Sequence, residues 1–230
     1  MSATRSPAST CRNTATICSS VCPFLGIVLV SSPGLPPKLT SSFPCHSFRV
    51  LGHSFQPFHN GHLEYVLAAQ KRSSFLWVGI TKYDIDVSEL SPLGRHREKP
   101  ENNPLTYHER LVMIGAALSE RGVPRDAFAF IPFPIEKPAK LPQFLPVSVP
   151  CFTTICEEWN REKIQVLKSQ GYEVIVLWER ERKEITGGEV RDDMIRGGTR
   201  WRELVPSATI QYAHEFKLQE RLRNLRGSAE

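Results

Sequence analysis

His59 and His62 stand three residues apart with Gly61 between them, at the start of a stretch with helical periodicity. Two imidazoles at i and i+3 share one face of a helix. Gly61 has no side chain to keep a phosphate away from the backbone. A helix N-terminus adds unpaired N–H groups and the positive end of the dipole. The chemistry this equipment suits is holding a phosphoryl group, with no nucleophile in evidence. Two histidines at this spacing also occur as ordinary surface or core groups. A zinc site with His53 as third ligand is a further reading, which the absence of any acid from Gly52–His62 does not favour.

A second constellation is Thr186-Gly187-Gly188-Glu189-Val190-Arg191. A hydroxyl and two glycines precede a short helix that carries an arginine. Backbone amides and Thr186 could cradle a polyphosphate, and Arg191 could neutralise its charge. The plain alternative is a helix start after a loop.

The elements that must position these residues alternate. Phe48–Leu51 is a β-prone run ending at Gly52. Helical periodicity over 59–71 puts Leu63, Val66 and Leu67 on one side. Residues 74–80 form a continuous apolar run, as a buried parallel strand does. The polar stretch 82–103 reads as a long loop, a length usually reserved for function or mobility. Thr106 and Glu109 predict a capping box for a helix over 107–120, closed by Gly122. Strands are expected at 127–132, more weakly at 150–155, and at 173–178. Helices are expected at 157–170, near 188–196 and, as a single final element, near 207–225.

That order implies an α/β protein with a Rossmann-like, doubly wound, mostly parallel sheet and helices on both faces. Ligands of such sheets sit beyond the C-terminal strand ends at the switch point, so 53–62 should line the crevice. Trp77 and Trp178 fall in strand runs and are expected in the core, Trp159 is expected to pack, and Trp201 to pack the terminal helix.

Taken together, Phe55-Gln56-Pro57-Phe58-His59-Asn60-Gly61-His62, Asn103-Pro104-Leu105-Thr106-x-x-Glu109-Arg110, Ile185–Arg191 and Trp201-x-x-Leu204-Val205-Pro206 resemble the nucleotidyltransferase superfamily with the H-x-G-H signature. Within it the chain is most similar to archaeal-type nicotinamide- or nicotinate-mononucleotide adenylyltransferases and related bacterial proteins. The resemblance covers residues 48 to about 225. It implies transfer of an adenylyl group from ATP to a phosphorylated acceptor, nicotinamide or nicotinate mononucleotide, with release of pyrophosphate. His59 and His62 would contact the phosphates, and His62 would stabilise charge on the α-phosphate. Phe55, Gln56 and Gly61 would belong to the nucleotide site. Thr186, Gly187, Gly188 and Arg191 would hold the β- and γ-phosphates, with Mg²⁺ bridging phosphate oxygens. A cytidylyltransferase or a pantetheine-phosphate adenylyltransferase of the same fold is the alternative within the class. A nucleotide-binding regulator that has lost turnover is the alternative outside it.

The sequence departs from the family pattern in three places. The usual Gly-Arg-Phe/Met-Gln-Pro is Gly52-His53-Ser54-Phe55-Gln56-Pro57 here, with no arginine and one extra residue. Where the family has Ser-Gly-Thr/Ser-Glu-Val-Arg, this chain has Thr186-Gly187-Gly188-Glu189-Val190-Arg191, so Gly188 lacks a hydroxyl. The Ser-Gly-Asn-Pro stretch and stacking tryptophan of the archaeal branch are absent from 152–159.

Composition sets the frame. With 230 residues, 40% hydrophobic and 23% charged, the chain can bury one sizeable core. The net charge of +5 is lopsided: Arg5, Arg12, Lys38 and Arg49 precede the first acid, Glu64, leaving 25 basic and 24 acidic residues from Glu64 onward. The body is thus balanced, which argues against a nucleic-acid face. No apolar run approaches the ~20 residues that span a bilayer, so no membrane role is expected.

Residues 1–45 read as a disordered or targeting extension before a nucleotidyltransferase domain at 46–230. A misassigned start, an organellar transit peptide and a secretory signal are all consistent with their Ser- and Arg-containing, acid-free composition. Two cysteines in the body, Cys151 and Cys156, suggest a reduced domain. The cytoplasm is the expected compartment, with mitochondrion or plastid the alternative if 1–45 is a transit peptide. The expected partners are ATP and a small phosphorylated substrate. The resemblance also admits a homo-oligomer, for which the sequence marks no interface.

Overall fold

The computed structural model describes residues 48–83 and 99–227. The 1–45 extension, and most of the long polar loop expected at 82–103, lie outside the described residues.

Five strands form one sheet: β1 (Phe48–His53), β2 (Phe75–Ile80), β3 (Phe128–Pro132), β4 (Cys151–Ile155) and β5 (Val174–Glu179). The order is β3-β2-β1-β4-β5 and every pairing is parallel. The chain therefore winds outward from β1 in both directions, and the switch point lies between β1 and β4. This is the doubly wound α/β arrangement expected, with a sheet that is wholly parallel.

Alternation along the strands divides the core in two. Leu51, Leu76, Val78, Ile80, Phe152 and Leu177 belong to one cluster; Val50, Ile131 and Cys151 belong to the other. The first face is covered by α1 (Asn60–Gln70), α2 (Tyr107–Glu120), α4 (Gly187–Ile195), α5 (Ser207–Glu215) and α6 (Leu218–Gly227). The second is covered by α3 (Glu158–Ser169) and by the arm 133–149 between β3 and β4. Right-handed crossovers produce this split, since outward winding to opposite sides sends α1 and α3 to opposite faces.

Two glycines let the arm come close. A Cβ on Gly52 would lie 2.5 Å from the Phe133 ring, and one on Gly79 would lie 2.8 Å from the Leu51 carbonyl. Phe133 accordingly rests on the ends of β1 and β2.

One expected element differs. The single helix near 207–225 is two helices, α5 and α6, broken at Lys217, which takes a left-handed φ of 51°. The break turns α6 so that Leu218 and Leu222 are buried, while Arg221 pairs with Glu109 of α2 at 2.7 Å. No glycine or proline marks it in the sequence.

Candidate active site

A cavity of about 500 Å³ opens beyond the C-terminal edge of the sheet. Its walls include His53, His59, Gly61, His62, Gly187 and Arg191. The 53–62 turn leaving β1 therefore lines the crevice, as the topology requires.

His59 is the N-cap of α1, and His62 is its third residue. The backbone N–H of His62 donates to Nδ1 of His59, and that of His59 donates to Nδ1 of His62, each at 3.3 Å. The two rings stack at a centroid distance of 3.5 Å. His62 is further enclosed by His53 at 4.3 Å, Phe55 at 5.1 Å and Phe58 at 5.9 Å. Burial and the nearby charges of Lys183 and Arg191 push the His59 pKa down to about 3. Burial, followed by the neighbouring His59 and His53, holds His62 well below the usual imidazole range. Both rings are neutral at physiological pH. Because Nδ1 is an acceptor in each, the ring proton sits on Nε2. The pair carries no charge, and His62 is also hydrogen-bonded to the backbone of Pro57.

Gly61 sits under this pair: a Cβ there would lie 3.3 Å from Cε1 and Nδ1 of His59. Phe55 stands behind the site, and Gln56 is part of its wall. The Phe55 side chain is fully buried and packs on His62 and Phe58, with a left-handed φ of 53°. Gln56 is also buried. Its amide nitrogen donates to the Leu105 carbonyl at 2.9 Å, and its oxygen accepts the Leu105 N–H at 3.0 Å. Both ends of that amide are thus committed to the 103–106 segment.

Thr186 is the N-cap of α4, and its hydroxyl is engaged there. Its oxygen accepts the Glu189 N–H at 3.2 Å, and its proton goes to the Glu189 carboxylate at 3.0 Å. Arg191 donates to the Gln56 carbonyl and to Oδ1 of Asn102, both at 2.6 Å. It therefore ties α4 to the first motif and to the turn Pro100–Asn102. Gly187 makes that junction possible: a Cβ there would lie 2.9 Å from the Gln56 carbonyl oxygen and 3.0 Å from Nη1 of Arg191. At Gly188 a Cβ would make only an ordinary contact, 3.8 Å from Oγ1 of Thr186. The N-termini of α1 and α4 both border the cavity, so their first-turn amides and dipoles favour an anion there.

Several contributors were not singled out from sequence. Arg110 is fully buried and donates to the carbonyls of Ser54 at 2.8 Å, Thr81 and Lys82 at 2.7 Å, and Thr106 at 3.2 Å. Burial lowers its pKa to about 10. One guanidinium thus clamps the turns after β1 and β2 to the start of α2. Lys163 is 4% exposed, yet its ammonium reaches the cavity and donates to the Gly52 carbonyl at 2.6 Å. Its signal was in the sequence: Asn160, Lys163, Ile164 and Leu167 share the buried stripe of α3. Trp178, expected in the core, lines the cavity, with the Arg180 guanidinium 5.0 Å from its ring centroid. Strand β5 lies at the sheet's outer edge, which is why this ring is only half covered.

Among the described residues, no group of three or more His, Cys, Asp and Glu side chains is placed to hold a metal ion. Near α1 and α4 the wall offers mainly N–H groups and cations, which bind phosphate rather than metal; the carboxylates there, Glu64 and Glu184, are paired with Arg180. A divalent ion fits this end only as the counter-ion carried by a polyphosphate.

No family model matches the chain. Individual proteins do. A phosphonoformate cytidylyltransferase from Streptomyces viridochromogenes is 36% identical over 174 residues, spanning 76% of this chain and 94% of that protein. A nicotinamide-nucleotide adenylyltransferase from Thermococcus sibiricus is 30% identical over 172 residues, 74% of this chain and 85% of that one. Another, from Pyrococcus horikoshii, is 32% identical over 172 residues, 74% and 84%. Among solved structures, a bifunctional NMN adenylyltransferase/ADP ribose pyrophosphatase from Francisella tularensis, complexed with AMP and a manganese ion, superposes with a TM-score of 0.55 at 16% identity. That match covers 78% of this chain and 52% of the other, so the chain spans about half the length of the bifunctional protein, and the likeness is one of fold.

Proposed function

The chain belongs to the nucleotidyltransferases of the H-x-G-H signature, and from that premise we propose that it transfers an adenylyl group from ATP to a phosphorylated acceptor, with nicotinamide or nicotinate mononucleotide as the first candidates. The observation that carries this reading is the reciprocal His59–His62 box, set at the start of α1 and facing the start of α4 across one cavity.

The chemistry follows from the donors. An acceptor oxygen attacks the α-phosphorus of the nucleotide. The bond from that phosphorus to the bridging oxygen breaks, and pyrophosphate leaves with the electron pair. Such transfers depend on alignment and on stabilising charge more than on covalent help from the protein. Nε2–H of His62, with that of His59 beside it, stabilises the negative charge gathering on the α-phosphate oxygens. Neutral imidazoles suit this role, since they donate without needing to gain or lose a proton during the cycle. The first-turn amides of α4 and the guanidinium of Arg191 hold the leaving pyrophosphate. Mg²⁺, bound by the nucleotide's own phosphates, supplies further charge neutralisation. His53, tilted against His62 with 4.3 Å between ring centroids, stands where the family has an arginine.

A second reading is transfer of a cytidylyl group from CTP to a small phosphonate. The observation favouring it is the higher identity to the phosphonoformate cytidylyltransferase, 36% against 30% and 32% for the adenylyltransferases. Cytoplasmic action is our reading of the compartment. It is supported by relatives from bacteria and archaea, and no helix among the described residues is long and apolar enough to cross a membrane.

The test is pyrophosphate release by the full chain with Mg²⁺ and either ATP or CTP, against a panel of phosphorylated acceptors, with His62→Ala as control. Release from ATP and a pyridine mononucleotide, lost in the control, supports the first reading. Release only from CTP and a phosphonate supports the second. Nucleotide binding with no release from any pair points to a regulator without turnover.

A further inference from the structure

The 53–62 turn carries no lysine or arginine, and its histidine pair is neutral. A nucleoside triphosphate at this end of the cavity needs positive charge from elsewhere. Arg191 of α4 is one source, anchored by its two terminal nitrogens on the Gln56 carbonyl and on Asn102. Lys183 is another, and it is held differently. It stands three residues before Thr186, the N-cap of α4. Its ammonium meets the carboxylate of Glu157, the N-cap of α3, at 2.7 Å. Both side chains line the cavity. The loop that carries Lys183 passes over the histidine turn: a Cβ on Gly61 would lie 4.0 Å from Cβ of Ile185, two residues further on. The charge of Lys183 accordingly acts on both His59 and His62.

The Lys183–Glu157 pair can be exchanged. Its side chains are 26% and 44% exposed, and an ion pair so open to water is worth only about a few-fold in an equilibrium constant. Phosphate oxygens that gather charge during transfer offer the ammonium a stronger partner. Other cations of the wall are placed less well for this. Arg180 grips Glu64 through both terminal nitrogens. Lys163 donates to the Gly52 carbonyl at 2.6 Å and stands with Lys82 and Glu136 at the other end of the cavity, on the face covered by α3.

We infer that Lys183 is a further catalytic residue: it leaves Glu157 when the nucleotide binds and donates a hydrogen bond to a non-bridging oxygen of the α-phosphate, beside the histidine pair. The inference rests on the nucleotidyl-transfer reading and adds a named group to it. No proton is transferred. The ammonium stays charged and meets the negative charge that grows on the phosphate oxygens as the acceptor oxygen bonds and pyrophosphate leaves. Glu157 is then a competitor of the nucleotide. It parks the ammonium at the head of α3 while the site is empty, beside the end of the cavity that the nucleotide leaves to the acceptor.

The experiment reads the sign of two substitutions in the full chain. An ion pair that only braces the fold suffers alike from either side, so Lys183→Met and Glu157→Gln would shift nucleotide affinity the same way. An exchanged pair responds in opposite directions. Calorimetry with Mg²⁺ and a non-hydrolysable analogue of ATP or CTP should show affinity about tenfold lower in Lys183→Met. In Glu157→Gln, which keeps a capping oxygen for α3, it should be about two- to fivefold higher. That gain should vanish when Glu157→Gln is placed on Lys183→Met. With a nucleotide and acceptor that react, kcat should fall about a hundredfold in Lys183→Met and recover in Lys183→Arg, which keeps the charge. Affinities that move the same way in both variants, a gain that persists without Lys183, or no rescue by arginine overturns the inference and leaves nucleotidyl transfer standing. If nucleotide binds and no acceptor reacts, the signs of the binding changes decide. A wild-type chain that binds neither nucleotide overturns the reading of function, and the inference with it.

Discussion

Nδ1 of His59 accepts the backbone N–H of His62, and Nδ1 of His62 accepts that of His59. The arrangement is a capping box built from two imidazoles, and it works only while both rings are neutral at Nδ1. A proton there would meet an N–H pointing at it. The first turn of α1 and the protonation state of the site are therefore one equilibrium.

That coupling predicts acid sensitivity. The unfolded chain binds protons at these histidines below about pH 6.5. The folded chain refuses one at His59 until about pH 3, and at His62 until well below the usual range. The unfolded state holds more protons in that window, so stability falls as pH falls. The slope approaches ~1.4 kcal/mol per pH unit for each histidine. A thermal midpoint declining from pH 6.5 to 4.5, with a shallower decline in His62→Gln, is expected. Ring NMR shifts of both histidines should stay constant from pH 8 to 5.

Gly187 and Gly188 should behave oppositely although they are neighbours. A Cβ at 187 collides with the Gln56 carbonyl and with Arg191. Gly187→Ala should destabilise by about 1–3 kcal/mol, as overpacking does, and weaken nucleotide binding at least tenfold. A Cβ at 188 meets only Oγ1 of Thr186, at 3.8 Å. Gly188→Ala should raise stability by about 0.4–1 kcal/mol through the unfolded chain. Denaturant midpoints and nucleotide calorimetry on the two variants measure both effects.

Thr186 acts through the start of α4. Its hydroxyl is spent on Glu189, so Thr186→Val should cost about 1 kcal/mol and lower nucleotide affinity with it. Thr186→Asn, which keeps a capping oxygen, should recover both. Nucleotide affinity that stays low in the asparagine variant while stability recovers would assign the hydroxyl to the ligand instead.

Arg110 should be the least replaceable side chain outside the cavity's immediate wall. Four carbonyls depend on it, and two of them belong to the turn after β2 that carries Lys82. Arg110→Met should destabilise by about 2–4 kcal/mol, since buried carbonyls are left without donors. Arg110→Lys, with one ammonium for that fork, should fold better yet show a raised acceptor KM at unchanged nucleotide affinity. Equilibrium unfolding and steady-state kinetics separate these outcomes.

Much of this was legible in the sequence, for physical reasons. The strand after Ser74 is an apolar run of the kind a doubly covered parallel sheet accommodates, while the apolar run after Glu173 forms the edge strand β5, with Val176 exposed. Thr106 with Glu109 wrote the start of α2 in hydrogen-bonding chemistry. His59, Gly61, His62, Thr186, Gly187 and Arg191 announced a phosphate site by type and spacing, and the fold brings them to one cavity. What stayed hidden depends on tertiary context. The break at Lys217 exists because α6 must turn its leucines inward, a demand no local residue advertises. Phe55 and Gln56 are nucleotide-site residues by the resemblance; that Phe55 is buried against His62, and that Gln56 at the cavity wall is also bonded to Leu105, depends on contacts far apart in sequence. Lys163 went unmarked within the helix expected at 157–170, although it falls on the stripe of Asn160, Ile164 and Leu167 that the fold buries.

Because the chain winds outward from β1 in both directions, the cavity straddles the sheet's edge, with the His59–His62 end, where we propose the nucleotide sits, above one face and the Lys163 end above the other. The two ends share little beyond the turn after β1. Changes in the 133–149 arm or at the head of α3 can thus reshape what is accepted without disturbing what is donated. The switch point works as a swivel in sequence space: it fixes the activated half of the reaction and leaves the other half free to diversify.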